Sequence, residues 1–260
     1  MTEYRLFLGN PGVGKSTLVN CMLGRKVFKS GLSFGTGLTN HLQEHTAPDG
    51  VVYLDTPGLA DVSIRQQAAR EIEKALRKGG VYKLFFLATL TNGRVSPEDI
   101  ATFNQVVQAI DVSNLEFSVV VNNVKPKQYK MITESEENFR KIAAAINTMA
   151  VKTTSITLVP VLEDLDEEEN AITPLPAKFV TFMNGAPSVR IPRERVRDID
   201  VNSDRYAKQL EEMKKILKQL REDNNALHAK IQELERRKPG FRESLNSAFN
   251  ALVREVNSWF

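Results

Sequence analysis

The chain has 260 residues, 42% of them hydrophobic, and a formal charge of +3 from 35 basic and 32 acidic side chains. That length holds one full core plus an extension, and the near-balanced charge argues against a nucleic-acid binder, which shows a concentrated basic stripe. The single cysteine, Cys21, excludes an internal disulfide and fits a reducing, cytoplasmic compartment; no run reaches the ~18 apolar residues that cross a bilayer, and no leader is expected, since strand residues begin at Tyr4.

Tyr4 to Leu8 predicts a buried strand, and Thr17-Leu18-Val19-Asn20-Cys21-Met22-Leu23 has helical spacing. Between them stands Gly9-Asn10-Pro11-Gly12-Val13-Gly14-Lys15-Ser16. A glycine-rich turn from strand to helix that ends in Lys-Ser is a phosphate-binding loop. Backbone N–H groups must approach phosphate oxygens with no side chain in the way, and the helix N-terminus adds orphan donors and partial positive charge. Asn10, Pro11, Gly12, Val13, Gly14 and Thr17 are expected to line the cradle. Lys15 should reach the β- and γ-phosphates, and Ser16 should take one position on Mg²⁺. Cys21, beside the loop, reads as a small buried apolar residue.

Arg25 to Thr46 is polar and glycine-containing and predicts a mobile loop, with Thr36 and Thr39 in it. Val51 to Leu54 is a strand that delivers Asp55-Thr56-Pro57-Gly58. There Asp55 can hold Mg²⁺ through water and the Gly58 N–H can meet a γ-phosphate. A helix over Ile64 to Lys78 is stopped by Gly79-Gly80, and Tyr82 to Ala88 is the next strand. After the loop Thr91-Asn92-Gly93-Arg94-Val95, Ser96 is a good N-cap with Pro97 at the first helical position and Asp99 in the capping-box region. Phe103, Val106, Val107 and Ile110 give that helix its apolar face. Phe117 to Val121 is a strand that ends in Asn122-Asn123-Val124-Lys125-Pro126. Glu134 to Met149 reads as a helix, Ile156 to Val161 as a strand, the acidic run Glu163 to Glu169 as a solvated loop, and Leu175 to Met183 as a last helix. Strands alternating with helices predict an α/β fold, a mostly parallel sheet with helices on both faces. Ligands of such sheets sit at the carboxyl ends of the strands, so Gly12, Asp55, Arg94 and Asn122 can share one rim.

The domain therefore spans 1–186 and a two-proline stretch with four arginines, 187–202, reads as a linker. Over 203–238 the period changes. Leu210, Leu217, Asn224 and Ile231 at a, with Met213, Leu220, Leu227 and Leu234 at d, make a coiled-coil seam about 45 Å long. Asn224 favours a parallel in-register dimer; a hairpin with the final helix, 241–260, competes for the same seam. That helix has an apolar face of Phe241, Leu245, Phe249, Leu252, Val256 and Phe260. Its mixed polar face, Arg242, Glu243, Arg254 and Glu255, argues against a membrane interface.

The phosphate loop, Thr39 in a polar loop and Asp55-Thr56-Pro57-Gly58 resemble a translation-factor-class P-loop GTPase. Gly93-Arg94-Val95-Ser96-Pro97-Glu98-Asp99 is similar to the conserved box of the immunity-associated (AIG1-type) GTPases, relatives of septins and of the chloroplast-import receptors. The resemblance covers about residues 1 to 160. It implies a GTP/GDP site with Mg²⁺, held by Ser16 and Thr39 with Asp55 behind them and Thr36 as the rival to Thr39, and homodimerisation across the nucleotide face. Two departures stand out. Asn122 and Asn123 are the candidates to meet the base, but Asn122-Asn123-Val124-Lys125 has no carboxylate to read guanine, which leaves adenine open. Leu59 stands where many small GTPases have a glutamine to orient water, so hydrolysis by one protomer should be slow. Arg94 can act as an arginine finger across a dimer, the alternative being a salt-bridged loop residue. The competing reading is a scaffold that holds nucleotide and hydrolyses it negligibly; a P-loop kinase is disfavoured by Asp55-Thr56-Pro57-Gly58 and by the lack of an arginine-rich lid.

Overall fold

A computed structural model describes residues 2–31, 38–61, 63–167, 171–237 and residue 247. The chain forms two compact units, Met1–Lys214 and Lys215–Phe260. In the first, six strands lie in the order β2 (Gln43–Thr46), β3 (Val52–Asp55), β1 (Glu3–Gly9), β4 (Gly80–Thr91), β6 (Ser118–Val124), β7 (Ile156–Pro160). All neighbours are parallel except β2, which runs antiparallel to β3 at the edge. β5 (Arg94–Val95) and β8 (Val189–Ile191) pair antiparallel with the two ends of β4.

The central strands are buried on both faces, as a parallel sheet requires. Alternate residues feed two cores. Leu6, Leu8, Leu84 and Phe86 face one, and Phe7, Phe85 and Leu87 the other. On the first side α2 (Arg65–Leu76), α3 (Pro97–Ala109) and α5 (Glu136–Ile146) bring Ile72, Phe103 and Ile142, with Phe86 against the rings of Phe103 at 4.9 Å and Phe117 at 5.3 Å. On the second, α1 (Lys15–Leu23) and α7 (Ala177–Gly185) bring Leu18, Val19, Phe179 and Met183. The expected layering of helices over both faces is present.

Several local expectations change. Asn92 and Gly93, at φ 52° and 77°, close a two-residue hairpin between β4 and β5 in place of an open loop; both central residues of a type I′ turn need positive φ, and Asn-Gly supplies them. Pro126–Thr133 is an extra helix, α4, begun by its proline, and α5 starts two residues later than read because Ser135 caps it, accepting from the Asn138 N–H at 3.3 Å. The acidic run is helical over Glu163–Glu167, α6. The stretch 187–202, read as a linker, holds β8 and buries Val189, Ile191, Val196 and Ile199 in the main core; Val-Arg-Ile is too short for its alternation to register as a strand. Met213 and Tyr206 on α8 (Ser203–Arg237) are also buried. In the second unit Leu227 is 57% exposed and Asn224 donates its Nδ2 to its own helix, to Leu220 O at 2.8 Å. No described helix is long and apolar enough to cross a membrane. Thr36 and the helix expected over 241–260, apart from Ser247, lie outside the described residues.

Candidate nucleotide and metal site

The phosphate loop joins β1 to α1. Gly12 and Gly14 take φ 79° and 88°, the left-handed region that favours glycine, and Gly14 is the N-cap of a helix with no side-chain cap. The first N–H groups of α1 therefore have no partner from their own helix. A Cβ on Gly14 would meet Asn122 Nδ2 at 2.5 Å, and one on Gly58 would meet Pro11 N at 2.5 Å, so the Asp55–Gly58 turn lies directly against the loop.

Lys15 is buried and donates Nζ to Gly9 O at 2.9 Å and Asn10 O at 3.0 Å, closing the loop on itself. Burial pushes its ammonium pKa down, while Asp55 and Asp99 hold it up. Ser16 Oγ donates to Asp55 Oδ2 at 2.5 Å; Thr39 Oγ1 lies 3.3 Å from Ser16 Oγ and 3.4 Å from Asp55 Oδ2. The three residues expected at the metal thus converge on one point. Asp55 is fully buried, its Oδ1 has no hydrogen-bond partner, and burial raises its pKa against Lys15 and the donors on Oδ2. An orphaned carboxylate oxygen beside two hydroxyls suits a hard cation with oxygen ligands. The residues fit Mg²⁺: Ser16 and Thr39 would hold it, with Asp55 behind them, and it would supply charge neutralisation on the phosphates.

Asn122 spends its amide on Val13 O at 2.9 Å and is 4% exposed, so its part in the site is to brace the loop. Asn123 is exposed at φ 54°, where the β6–β7 ladder is irregular. Lys125 precedes α4 and is exposed. Leu59 is completely buried in the core, a packing residue with no polar atom for water. Arg94 stands on the β4–β5 hairpin. β1 ends at Gly9, paired with Leu87, whereas β4 runs on to Thr91, which carries the hairpin about 13 Å past the level of Gly9. Arg94 is exposed, and its guanidinium makes no hydrogen bond or ion pair with any described residue, which speaks against the salt-bridged alternative among those residues.

Supporting residues emerge that the sequence did not single out for this role. Gln43 Nε2 donates to Asp55 Oδ2 at 3.1 Å and to Thr39 Oγ1 at 3.4 Å, and its Oε1 accepts the Lys29 N–H at 3.0 Å. Asn20 accepts from the N–H groups of Val27 and Phe28 and pins the entry to the mobile-loop segment. Asp99 accepts Asn10 Nδ2 at 2.7 Å and the Thr89 N–H at 3.3 Å, while Asn10 Oδ1 accepts Thr102 Oγ1 at 2.8 Å. Alternating polar residues give no periodic signal, so only the fold brings these together.

Burial pushes Asp99 up to about 6; the Thr89 and Asn10 hydrogen bonds and Lys15 oppose it, and Glu98 adds to it. A carboxyl whose folded pKa lies above its unfolded value binds more protons when folded. Its contribution to stability is therefore present below the unfolded pKa of about 4 and is lost as pH rises to about 6. The empty protein should lose up to about 3 kcal/mol relative to Asp99→Asn across that window. Urea unfolding of both proteins at pH 4 to 7 checks this, and parallel curves would contradict it.

Over 104 residues the chain is 36% identical to Immune-associated nucleotide-binding protein 12 of Arabidopsis thaliana, covering 38% of this chain and 26% of that protein. Over 63 residues it is 38% identical to the small ribosomal subunit biogenesis GTPase RsgA 2 of Vibrio vulnificus, covering 22% of this chain and 18% of that protein. The matches thus span about a quarter or less of these relatives' lengths. Among solved structures, Toc33 from Arabidopsis thaliana in complex with GDP and Mg²⁺ matches at TM-score 0.45 and 18% identity, over 74% of this chain and 88% of that one. Era from Aquifex aeolicus bound to GDP.AlF4⁻ matches at TM-score 0.43 and 24% identity, over 77% and 63%. The phosphate loop, the Asp55–Gly58 turn and the sheet that carries them make a nucleotide-binding domain of the P-loop GTPase type. The AIG1 family model matches residues 5–169, more than half of the chain, and the protein belongs to the AIG1 family.

Proposed function

We propose that the chain binds guanine nucleotide with Mg²⁺ and hydrolyses GTP slowly. Dimerisation through the nucleotide face switches it, with Arg94 serving the opposite protomer. The observation that carries this reading is the meeting of Ser16, Thr39 and Asp55 within 3.4 Å, one residue from each of the phosphate loop, the stretch before β2 and the turn after β3. A threonine drawn from a polar loop onto a metal point lets the loop report whether metal and γ-phosphate are present. The names of its relatives, a nucleotide-binding protein and GTPases, support the same class. Assembly then uses the domain 1–186 and the helical extension 203–238, with 187–202 between them. The competing reading, a nucleotide-holding scaffold, is favoured by one feature, the buried Leu59, which cannot orient water.

Mass spectrometry of nucleotide released from purified protein tests the reading. Guanine nucleotide at near-stoichiometric amounts is expected, and adenine nucleotide would overturn the guanine assignment. A single-turnover assay at high protein concentration separates slow hydrolysis from none.

A further inference from the structure

The stretch that leads into α8 is bonded to α2 and α3. Asn202 Oδ1 accepts the N–H groups of Asp204 at 3.0 Å and Arg205 at 3.1 Å, which fixes where the helix begins. Upstream, the Ile199 N–H donates to Glu73 Oε1 on α2 at 2.8 Å, and Gln105 Nε2 on α3 donates to Asp200 O at 2.8 Å. Tyr206 is thereby driven into the domain, 7% exposed. The Arg65 guanidinium carbon lies 4.1 Å from the centre of its ring. Arg65, 6% exposed, donates Nε to Leu59 O at 2.8 Å and Nη2 to Ala60 O at 3.4 Å. These two carbonyls directly follow Gly58, whose backbone rests on Pro11 of the phosphate loop.

An arginine held over an aromatic face in a dry site keeps its charge without a carboxylate, and its fork stays free to bond carbonyls. Thr102 on α3 donates Oγ1 to Asn10 Oδ1 of the phosphate loop at 2.8 Å. Tyr206 therefore reaches the Asp55–Ala60 turn through Arg65.

We propose that Tyr206 is a positioning residue for triphosphate recognition, holding Arg65 and through it the Leu59–Ala60 backbone so that Gly58 stays where a γ-phosphate would meet its N–H. This rests on the nucleotide switch proposed above. A diphosphate does not reach Gly58, so its affinity is independent of the clamp.

The test measures affinity of the full chain, with Mg²⁺, for GDP and a non-hydrolysable GTP analogue by calorimetry, and for the matching adenine pair. Tyr206→Leu should weaken the triphosphate analogue about 10-fold while GDP stays within about 2-fold. Tyr206→Phe, which keeps the ring over Arg65, should restore most of the preference. Tyr206→Met, close in volume but without a ring, replaces Tyr206→Leu should the latter fail to fold. Equal weakening of both nucleotides, or no change in either, overturns the assignment and leaves the nucleotide reading intact. A wild-type preference for the adenine pair overturns only the guanine reading, and the same ratio is then read with that pair; wild-type protein that binds neither pair ends both.

Discussion

Lys15→Met should abolish nucleotide binding while leaving the protein folded. The ammonium is buried, bonded to Gly9 O and Asn10 O, and its pKa is pushed down by desolvation. A lysine whose folded pKa lies below its unfolded value costs stability while charged, so the empty domain gains stability as pH rises through the folded pKa. Methionine fills a similar volume and removes that cost, at the expense of two carbonyls without this donor, roughly 1–3 kcal/mol. With nucleotide the balance reverses. The ammonium exchanges two neutral carbonyls for phosphate oxygens, and two charge-assisted bonds at roughly 1.5–3 kcal/mol each correspond to about a 10²- to 10⁴-fold loss of affinity. Thermal unfolding with and without saturating GDP and Mg²⁺ reads both halves at once. The wild type should gain about 2.7 kcal/mol at a hundredfold excess over Kd, and Lys15→Met should gain nothing. Nucleotide-dependent stabilisation of the variant would mean that the ligand sits elsewhere.

How much of this was readable beforehand depends on how local each signal is. The phosphate loop is eight consecutive residues whose glycines are dictated by backbone approach, so it could be placed from sequence and lies where expected. The unbroken apolar runs of the central strands likewise follow from burial on both faces. Interactions that join distant residues left no trace. Gln43 meets Asp55 because their strands are paired in register, and Asp99 meets Asn10 across 89 positions. Asn122 was a candidate for the base because it ends a strand; only the fold shows its amide turned onto Val13 O. The stretch 187–202 looked like a connector because its prolines and arginines outweigh four buried aliphatics spaced too irregularly to count. The Asn-Gly hairpin signal was present in plain view, and it matters because it rigidly presents the next residue, Arg94.

That presentation leads to the largest expected effect. Arg94→Ala should lower GTP turnover by about 10³-fold or more at high protein concentration, within the range arginine fingers contribute, while affinity for GDP and a triphosphate analogue stays within about 3-fold. The argument is geometric and electrostatic. β4 carries Arg94 about 13 Å beyond the level of Gly9, where the phosphate loop begins. An arginine that stabilised its own hairpin would show a carboxylate or carbonyl partner, and Arg94 has none among the described residues. A guanidinium held on a tight turn, exposed and uncommitted, is instead prepaid for a second molecule: little side-chain order is lost on docking, and its fork matches phosphoryl oxygens. Leu59 leaves a protomer without a water-orienting group, so its own rate is low and the contrast with the dimer is large. Specific activity of the wild type should therefore rise with protein concentration and plateau, while Arg94→Ala stays flat at the low value. Arg94→Lys, which keeps the charge and loses the fork, should recover only a small part of the rate. A wild-type specific activity that is constant across the dilution series would sink the trans mechanism.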